Sequence, residues 1–196
     1  MDIEIRPLRD DERAAGGGVA GRALATNHTS HWVWGDDKAA CLQGNLDLFI
    51  GLVSIADKPI GALLGTHVVG ICAASPPGAC FCATAPPELR AFPEMIGDAG
   101  DPSRVQHVWA LYCAHDLEER HWHLGPVGVE PSLQGSGVGG LMLAAFSAQM
   151  DDAGEVAWLE TDKPDNVVFY RRAGFEVTDE VHEHGLTSYW MRRDPR

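Results

Sequence analysis

The sequence predicts a single α/β domain over residues 1–196, built on a mixed, strongly twisted sheet of about seven strands flanked by four or more helices. Three observations carry this prediction. Short β-patterned runs alternate with amphipathic helical runs, with no internal repeat and no linker rich in Gly and Ser. A strand, a glycine-rich loop and a helix follow one another between Val127 and Met150. The run Val156-Ala157-Trp158-Leu159 is continuously apolar, as in a strand buried on both faces. At 196 residues the chain suffices for one well-buried core and is short for two.

Taken in order, Ile3, Ile5, Pro7 and Leu8 read as an opening strand, and Asp10-Asp11-Glu12 as the start of a helix reaching about Leu24. Gly16-Gly17-Gly18 makes that helix fragile on propensity alone. Thr26 to Gly35, with His28, His31, Trp32 and Trp34, reads as a loop; those rings form either an aromatic wall for an acceptor or a plug in the core. Asp36-Asp37 caps a second helix with Leu42, Leu46, Phe49, Ile50 and Val53 as its apolar stripe. Ile60–Leu64 and His67–Ala74 form a hairpin across Gly65-Thr66. Glu88 to Ile96 reads as a short helix, and Ser103 to His115 as a stronger one behind Asp101-Pro102.

The pattern sharpens from His121. His121 to Val129 is a strand, and Val138 to Met150 a helix stopped by Gly154. That helix is expected to bury Val138, Leu141, Met142, Ala145 and Gln149 or Phe146. Val156 to Thr161 is a strand, Pro164 to Ala173 a helix ended by Gly174, and Phe175–Val177 and Leu186–Met191 close the sheet around a polar turn at Asp179–Gly185.

Composition narrows the function. Hydrophobic residues make up 45% of the chain and charged residues 22%, an ordinary globular balance. A net charge of −13 leaves no basic surface for nucleic acid; it either favours encounter with cationic small molecules such as amines or serves only to maintain solubility. No apolar run reaches about 18 residues, so no membrane span is expected. Met1 to Ile5 alternates like a strand, unlike a leader, and a cytoplasmic protein is the expectation. The five cysteines, Cys41, Cys72, Cys80, Cys82 and Cys113, then read as reduced thiols; they lack metal-ligand spacing, and no metal is expected.

The chemistry lies in Val127-Gly128-Val129-Glu130-Pro131-Ser132-Leu133-Gln134-Gly135-Ser136-Gly137-Val138-Gly139-Gly140. Glycines let the backbone approach a ligand, and the free N–H groups at a helix start suit a pyrophosphate. A dinucleotide fold would place such a loop after its first strand, and a P-loop would need Gly-Lys-Ser or Gly-Lys-Thr. This loop satisfies neither.

Gln134-Gly135-Ser136-Gly137-Val138-Gly139 instead resembles the signature loop of the GNAT superfamily of N-acetyltransferases, and Gly125 to Pro131 resembles that family's fourth strand. Downstream, Asn166-Val167-Val168-Phe169-Tyr170-Arg171-Arg172-Ala173-Gly174-Phe175 is similar to a second family segment in the right order. The resemblance spans roughly Trp122 to Met191 and looks closest to the puromycin N-acetyltransferase-like branch. It implies a GNAT-like fold with acetyl-CoA as co-substrate. Residues 121–196 would form the acetyl-CoA-binding half and 1–120 the acceptor side. Gln134, Gly135, Ser136, Gly137, Val138, Gly139 and Gly140 would hold the pyrophosphate. The backbone of Val127, Gly128 and Val129 would pair with the pantetheine arm, and Asn166 and Phe169 would touch the cofactor.

The same resemblance makes Tyr170 the acid that protonates the departing thiolate. A phenol of pKa ~10 is chemically suited to a thiol of ~8.5, although Tyr170 would also pack well in a helix face. The attacking amine must lose a proton. His121 and His123, on one face of their strand, and Glu160, at the end of the apolar strand, are the candidate bases. Structural roles for each stay open, as does water acting alone. The expected function is acetyl transfer to a primary amine of a small molecule by direct attack in a ternary complex. A protein or peptide amine, a larger acyl group and a non-catalytic acyl-CoA sensor are the alternatives. A homodimer joined through edge strands or C-terminal segments is compatible with such a fold.

Overall fold

The computed structural model describes residues 2–79 and 101–196. Seven strands form one sheet: β1 (Glu4–Pro7), β2 (Ile60–Leu64), β3 (His67–Ser75), β4 (His121–Val129), β5 (Val156–Thr161), β6 (Glu176–Glu183) and β7 (Leu186–Arg193). Their order is β1-β2-β3-β4-β5-β7-β6. Only β4 and β5 run parallel; every other neighbouring pair is antiparallel. Among the described residues the α-helices are α1 (Arg13–Leu24), α2 (His28–Trp34), α3 (Lys38–Ile55), α4 (Pro102–Ala114), α5 (Val138–Ala153) and α6 (Pro164–Arg171). This is the mixed α/β architecture expected. The anticipated helix at Glu88–Ile96 and the residues Cys80 and Cys82 lie outside the described residues. None of the described helices is long and apolar enough to cross a membrane.

Several elements form for reasons a propensity scale hides. In α1 the glycines are contact points: a Cβ on Gly17 would stand 2.5 Å from the Ile50 Cα, and one on Gly21 would stand 2.9 Å from the Leu46 Cα. Their absent side chains let α1 lie directly on α3, which offsets the helix cost of glycine. The stripe expected on α3 is therefore displaced. Its buried residues are Cys41, Gly44, Asn45, Leu52 and Val53, while Ile50 is exposed. On α5, Val138, Met142, Leu143, Phe146, Ser147 and Met150 are buried and Leu141 is 51% exposed, correcting the predicted face by one residue.

The expected loop at Thr26–Gly35 contains α2. Neither its composition nor a side-chain cap announces this helix. It is set by tertiary contacts: Val33 and Trp34 are buried, the Ser30 hydroxyl lies 2.9 Å from both the Leu24 carbonyl and Asn45 Oδ1, and Trp34 fills the space that Gly44 leaves open on α3. Likewise β6 runs on through Glu183, and the turn shrinks to His184 and Gly185 with φ of 52° and 78°, the left-handed pair of a tight hairpin. β6 is a charged, largely exposed edge strand, and so lacks the apolar signal expected of sheet. Cys41 and Cys72 are buried free thiols, while Cys113 is disulfide-bonded, against the expectation of a reduced thiol.

The feature that makes room for chemistry is the β4–β5 pair. Its ladder holds only from His121–His123 to Val156–Trp158. β4 then continues to Val129 paired with β3 on its other side, and β5 continues to Thr161 paired with β7. Past His123 the facing edges of β4 and β5 are unpaired among the described residues, in the middle of the sheet.

Candidate active site

A groove opens at this divergence. The backbone of Val127, Gly128 and Val129 forms one wall; Leu133, Gln134, Gly135, Gly137, Val138, Gly139 and Gly140 form the loop end; Asn166, Phe169 and Tyr170 of α6 form the other side. Its volume is about 1000 Å³. The loop geometry follows from two glycines in the left-handed region, Gly135 at φ 78° and Gly137 at φ 90°, the latter standing as the N-cap of α5. The first intrahelical bond of α5 is from the Leu141 N–H to the Gly137 carbonyl at 3.2 Å, so the amides of Val138, Gly139 and Gly140 have no helical acceptor. They sit at the positive end of the helix dipole and are set up for an anion. Gln134 steadies the loop, donating from Nε2 to the Val129 carbonyl at 3.2 Å.

Of the residues proposed from sequence to hold the cofactor, all but Ser136 line this groove. The Ser136 hydroxyl instead donates to the Leu133 carbonyl at 2.6 Å, bracing the turn. Asn166 donates from Nδ2 to Thr161 Oγ1 at 3.0 Å, which ties α6 to the end of β5. Basic groups that sequence reasoning passed over, Lys163, Arg172, Arg193 and Arg196, also line the groove beside Asp151 and Asp165, with Arg193 paired to Asp151 at 2.7 Å.

A second cavity, of about 220 Å³, lies on the other side of the same divergence, between α2, α3, α4 and the sheet. Its wall is mostly apolar and includes Trp34, Phe49, Trp109 and Tyr112. Its polar end holds Ser75, His123, Glu160 and Asp162. Of the aromatic segment picked out in the sequence, Trp34 is both buried and part of this wall; His28, His31 and Trp32 are not among its lining residues. Leu24, Asn27, Val127, Asn166 and Tyr170 border both cavities. Tyr170 therefore borders both the groove at the glycine loop and the small apolar pocket. It is 8% exposed, and its hydroxyl has no hydrogen-bond partner among the described residues. Burial, with added repulsion from Cys72 and Glu160, raises the phenol above its ordinary value and keeps it protonated.

The histidines and Glu160 are linked in one chain of contacts through His123, with Asp116, which the sequence did not single out, touching both histidines. His123 Nε2 lies 2.6 Å from Glu160 Oε2, and its Nδ1 lies 3.4 Å from Asp116 Oδ1. His121 Nε2 lies 3.0 Å from the same Asp116 oxygen, while its Nδ1 donates to the Glu119 carbonyl at 2.8 Å. Both histidines thus share one face of β4, as the strand alternation predicts. Only His123 reaches the cavity; His121 is not among its lining residues. Burial disfavours the charged imidazole, but Glu160 and Asp116 on its two sides outweigh that and push His123 up to about 10. At neutral pH it is a cation held between two carboxylates. Tyr112 faces the same charges: burial first, then Glu160 and Asp162, push its phenol well above the usual range.

The arrangement can hold a pyrophosphate-bearing thioester in one cavity and a small amine in the other, with a phenol between them and a carboxylate–imidazolium pair on the amine side. Comparison with known proteins agrees. Residues 104–177 match the family model described as the acetyltransferase (GNAT) domain. The whole chain is similar in fold to a histone acetyltransferase HPA2 and related acetyltransferase from Corynebacterium glutamicum, at 18% identity and a TM-score of 0.72, covering 100% of this chain and 98% of that one. It is similar to the polyamine N-acetyltransferase of Drosophila melanogaster, an enzyme that forms N-acetylagmatine, at 15% identity and a TM-score of 0.63, covering 97% and 98%. A GNAT family acetyltransferase from Brucella melitensis, solved with acetyl-CoA, matches at 18% identity and a TM-score of 0.54, covering 98% and 88%.

Proposed function

We propose that this chain, whose residues 104–177 match the GNAT acetyltransferase domain, is an acetyltransferase of that superfamily and moves an acetyl group from acetyl-CoA to the primary amine of a small molecule by direct attack in a ternary complex. The observation that carries this reading is Tyr170, shared by the groove at the glycine loop and the small apolar cavity. The cavity is small beside the ~300–1,000 Å³ of drug-sized sites, which favours a small amine over a peptide.

In this mechanism the loop amides of Val138 to Gly140 hold the pyrophosphate, and the unpaired edge of Val127 to Val129 receives the pantetheine arm as an added strand. The acceptor enters as an ammonium and gives its surplus proton to Glu160, whose partner is the His123 imidazolium. Because His123 is already protonated, Glu160 is the group that accepts, and His123 holds it and links it to Asp116. The neutral amine attacks the thioester carbonyl, forming the C–N bond. Collapse breaks the C–S bond while Tyr170 protonates the leaving sulfur, and the proton remaining on nitrogen returns to the phenolate. The dry surroundings that raise the phenol also raise the thiol, so the two stay matched. Burial pushes the Cys72 thiol up to about 12, which leaves it un-ionised and unsuited to an acyl-enzyme route.

The test is CoA release across a panel of amines for the wild type and Tyr170→Phe, with CoA binding followed by calorimetry. The phenylalanine variant is expected to lose about 100-fold or more in kcat with CoA affinity retained. Tight CoA binding without turnover on any amine would favour an acyl-CoA sensor instead.

A further inference from the structure

Asp162 stands just beyond β5, is 7% exposed and lines the acceptor cavity. Its two oxygens are in different circumstances. Oδ2 accepts from the Thr29 backbone N–H at 2.8 Å, tying the first turn of α2 to the sheet. Oδ1 is buried and has no hydrogen-bond partner among the described residues. A buried carboxylate oxygen without a donor is costly and calls for one. The protein supplies no further cation: among the described residues lining the cavity there is no Lys or Arg, and His123 is held by Glu160 and Asp116. The tie to α2 would be complete with Oδ2 alone.

We infer that Asp162 Oδ1 binds the ammonium of the acceptor, and that the acceptor is a monoamine on an aromatic body, of the arylalkylamine type. The inference rests on the acetyltransfer reading for the identity of the site. The body of the ligand is read from the wall. Trp34, Phe49, Trp109 and Tyr112 offer aromatic surface, and the charged end of the cavity is confined to Glu160, Asp162 and His123. A polyamine would place a second cation against apolar side chains, a desolvation without a partner. Asp162 is thus a specificity-determining residue, distinct from Glu160: one carboxylate takes the proton, the other holds the nitrogen for attack.

The experiment is calorimetric titration of 2-phenylethylamine into the CoA-bound protein, wild type against Asp162→Asn. Asparagine retains an oxygen for the Thr29 N–H, so α2 stays docked, and an unchanged melting temperature and CoA affinity confirm this. Affinity for the amine is expected to fall at least about tenfold, the loss of one hydrogen bond to a charged group. A second measurement uses the wild type alone: 2-phenylethanol, of the same shape without the ammonium, binds at least about tenfold more weakly than the amine. In Asp162→Asn the two ligands converge. Equal amine affinity in wild type and variant would overturn the role of Asp162. Binding of spermidine or a short peptide in place of 2-phenylethylamine would overturn the substrate class. Binding that depends on Asp162 without acetylation would remove the transferase reading and leave this assignment standing.

Discussion

His123 is the residue on which the site's electrostatics turn. A histidine in contact with one carboxylate is commonplace; one with a carboxylate at each ring nitrogen is fixed as a cation through the neutral range. Its folded-state value, about 10, stands above the 6.5 of a free imidazole. The stabilisation it brings is therefore fully present below pH 6.5 and is lost as the pH rises through about 10. Denaturant unfolding at a series of pH values should show stability declining across that window. Glu160→Gln, by removing one of the two charges, should flatten the decline and lower kcat by about 100-fold or more. An unaltered pH dependence in the variant would mean that Glu160 does not hold the imidazolium. His123 and Glu160 could be found in the sequence because strand alternation and a strand end point to them. Asp116 and Asp162 could not, since each lies in an irregular segment where no period says which way a side chain faces.

At the scale of elements, glycine acts in two opposite ways. In α1 it permits helix-on-helix contact. Gly17→Ala would drive a methyl group into the α3 backbone, and a loss of about 1–3 kcal/mol in denaturant unfolding is expected. Gly18→Ala meets only the flexible end of Arg22 and should cost nothing or stabilise by up to about 1 kcal/mol. In the loop before α5 it permits a left-handed turn. Gly137→Ala should cost about 1–2 kcal/mol in stability and weaken acetyl-CoA binding measured by calorimetry, because φ 90° is what aims the helix amides. The glycine loop and the turn into α5 were legible because backbone requirements of this kind leave a glycine pattern in the sequence. Strand β5 showed through its unbroken apolar run, and helix α4 through Asp101, which accepts from the Ser103 N–H at 2.9 Å. Helix α2 and the length of β6 were not legible. One owes its form to neighbours distant in sequence, the other to a sheet edge whose residues are charged. The resemblance to a puromycin N-acetyltransferase-like branch concerns acceptor choice, which the glycine-loop and α6 motifs do not encode.

Over the whole molecule, the sheet is divided by its pairing. Antiparallel strands on one side and a separate antiparallel set on the other are joined by three parallel residue pairs at the base of the divergence. The N-terminal helices close one side of the opening and α5 and α6 the other. This division also explains how an acidic chain accommodates a polyanionic co-substrate. Glu160 and Asp162 line the smaller cavity, while Lys163, Arg172, Arg193 and Arg196 outnumber Asp151 and Asp165 along the groove.

The five residues common to both cavities, Leu24, Asn27, Val127, Asn166 and Tyr170, have a consequence for inhibition. Two compartments that meet at a shared frame can be occupied by one molecule. An arylalkylamine joined through a short carbonyl tether to the sulfur of CoA would seat both ends at once, and the second end would bind at the effective concentration set by the tether, on the order of millimolar or above. Such a conjugate should displace acetyl-CoA and amine together and bind more tightly than either fragment. Lengthening the tether would then measure the passage past Tyr170 directly, with affinity peaking where the linker just spans it.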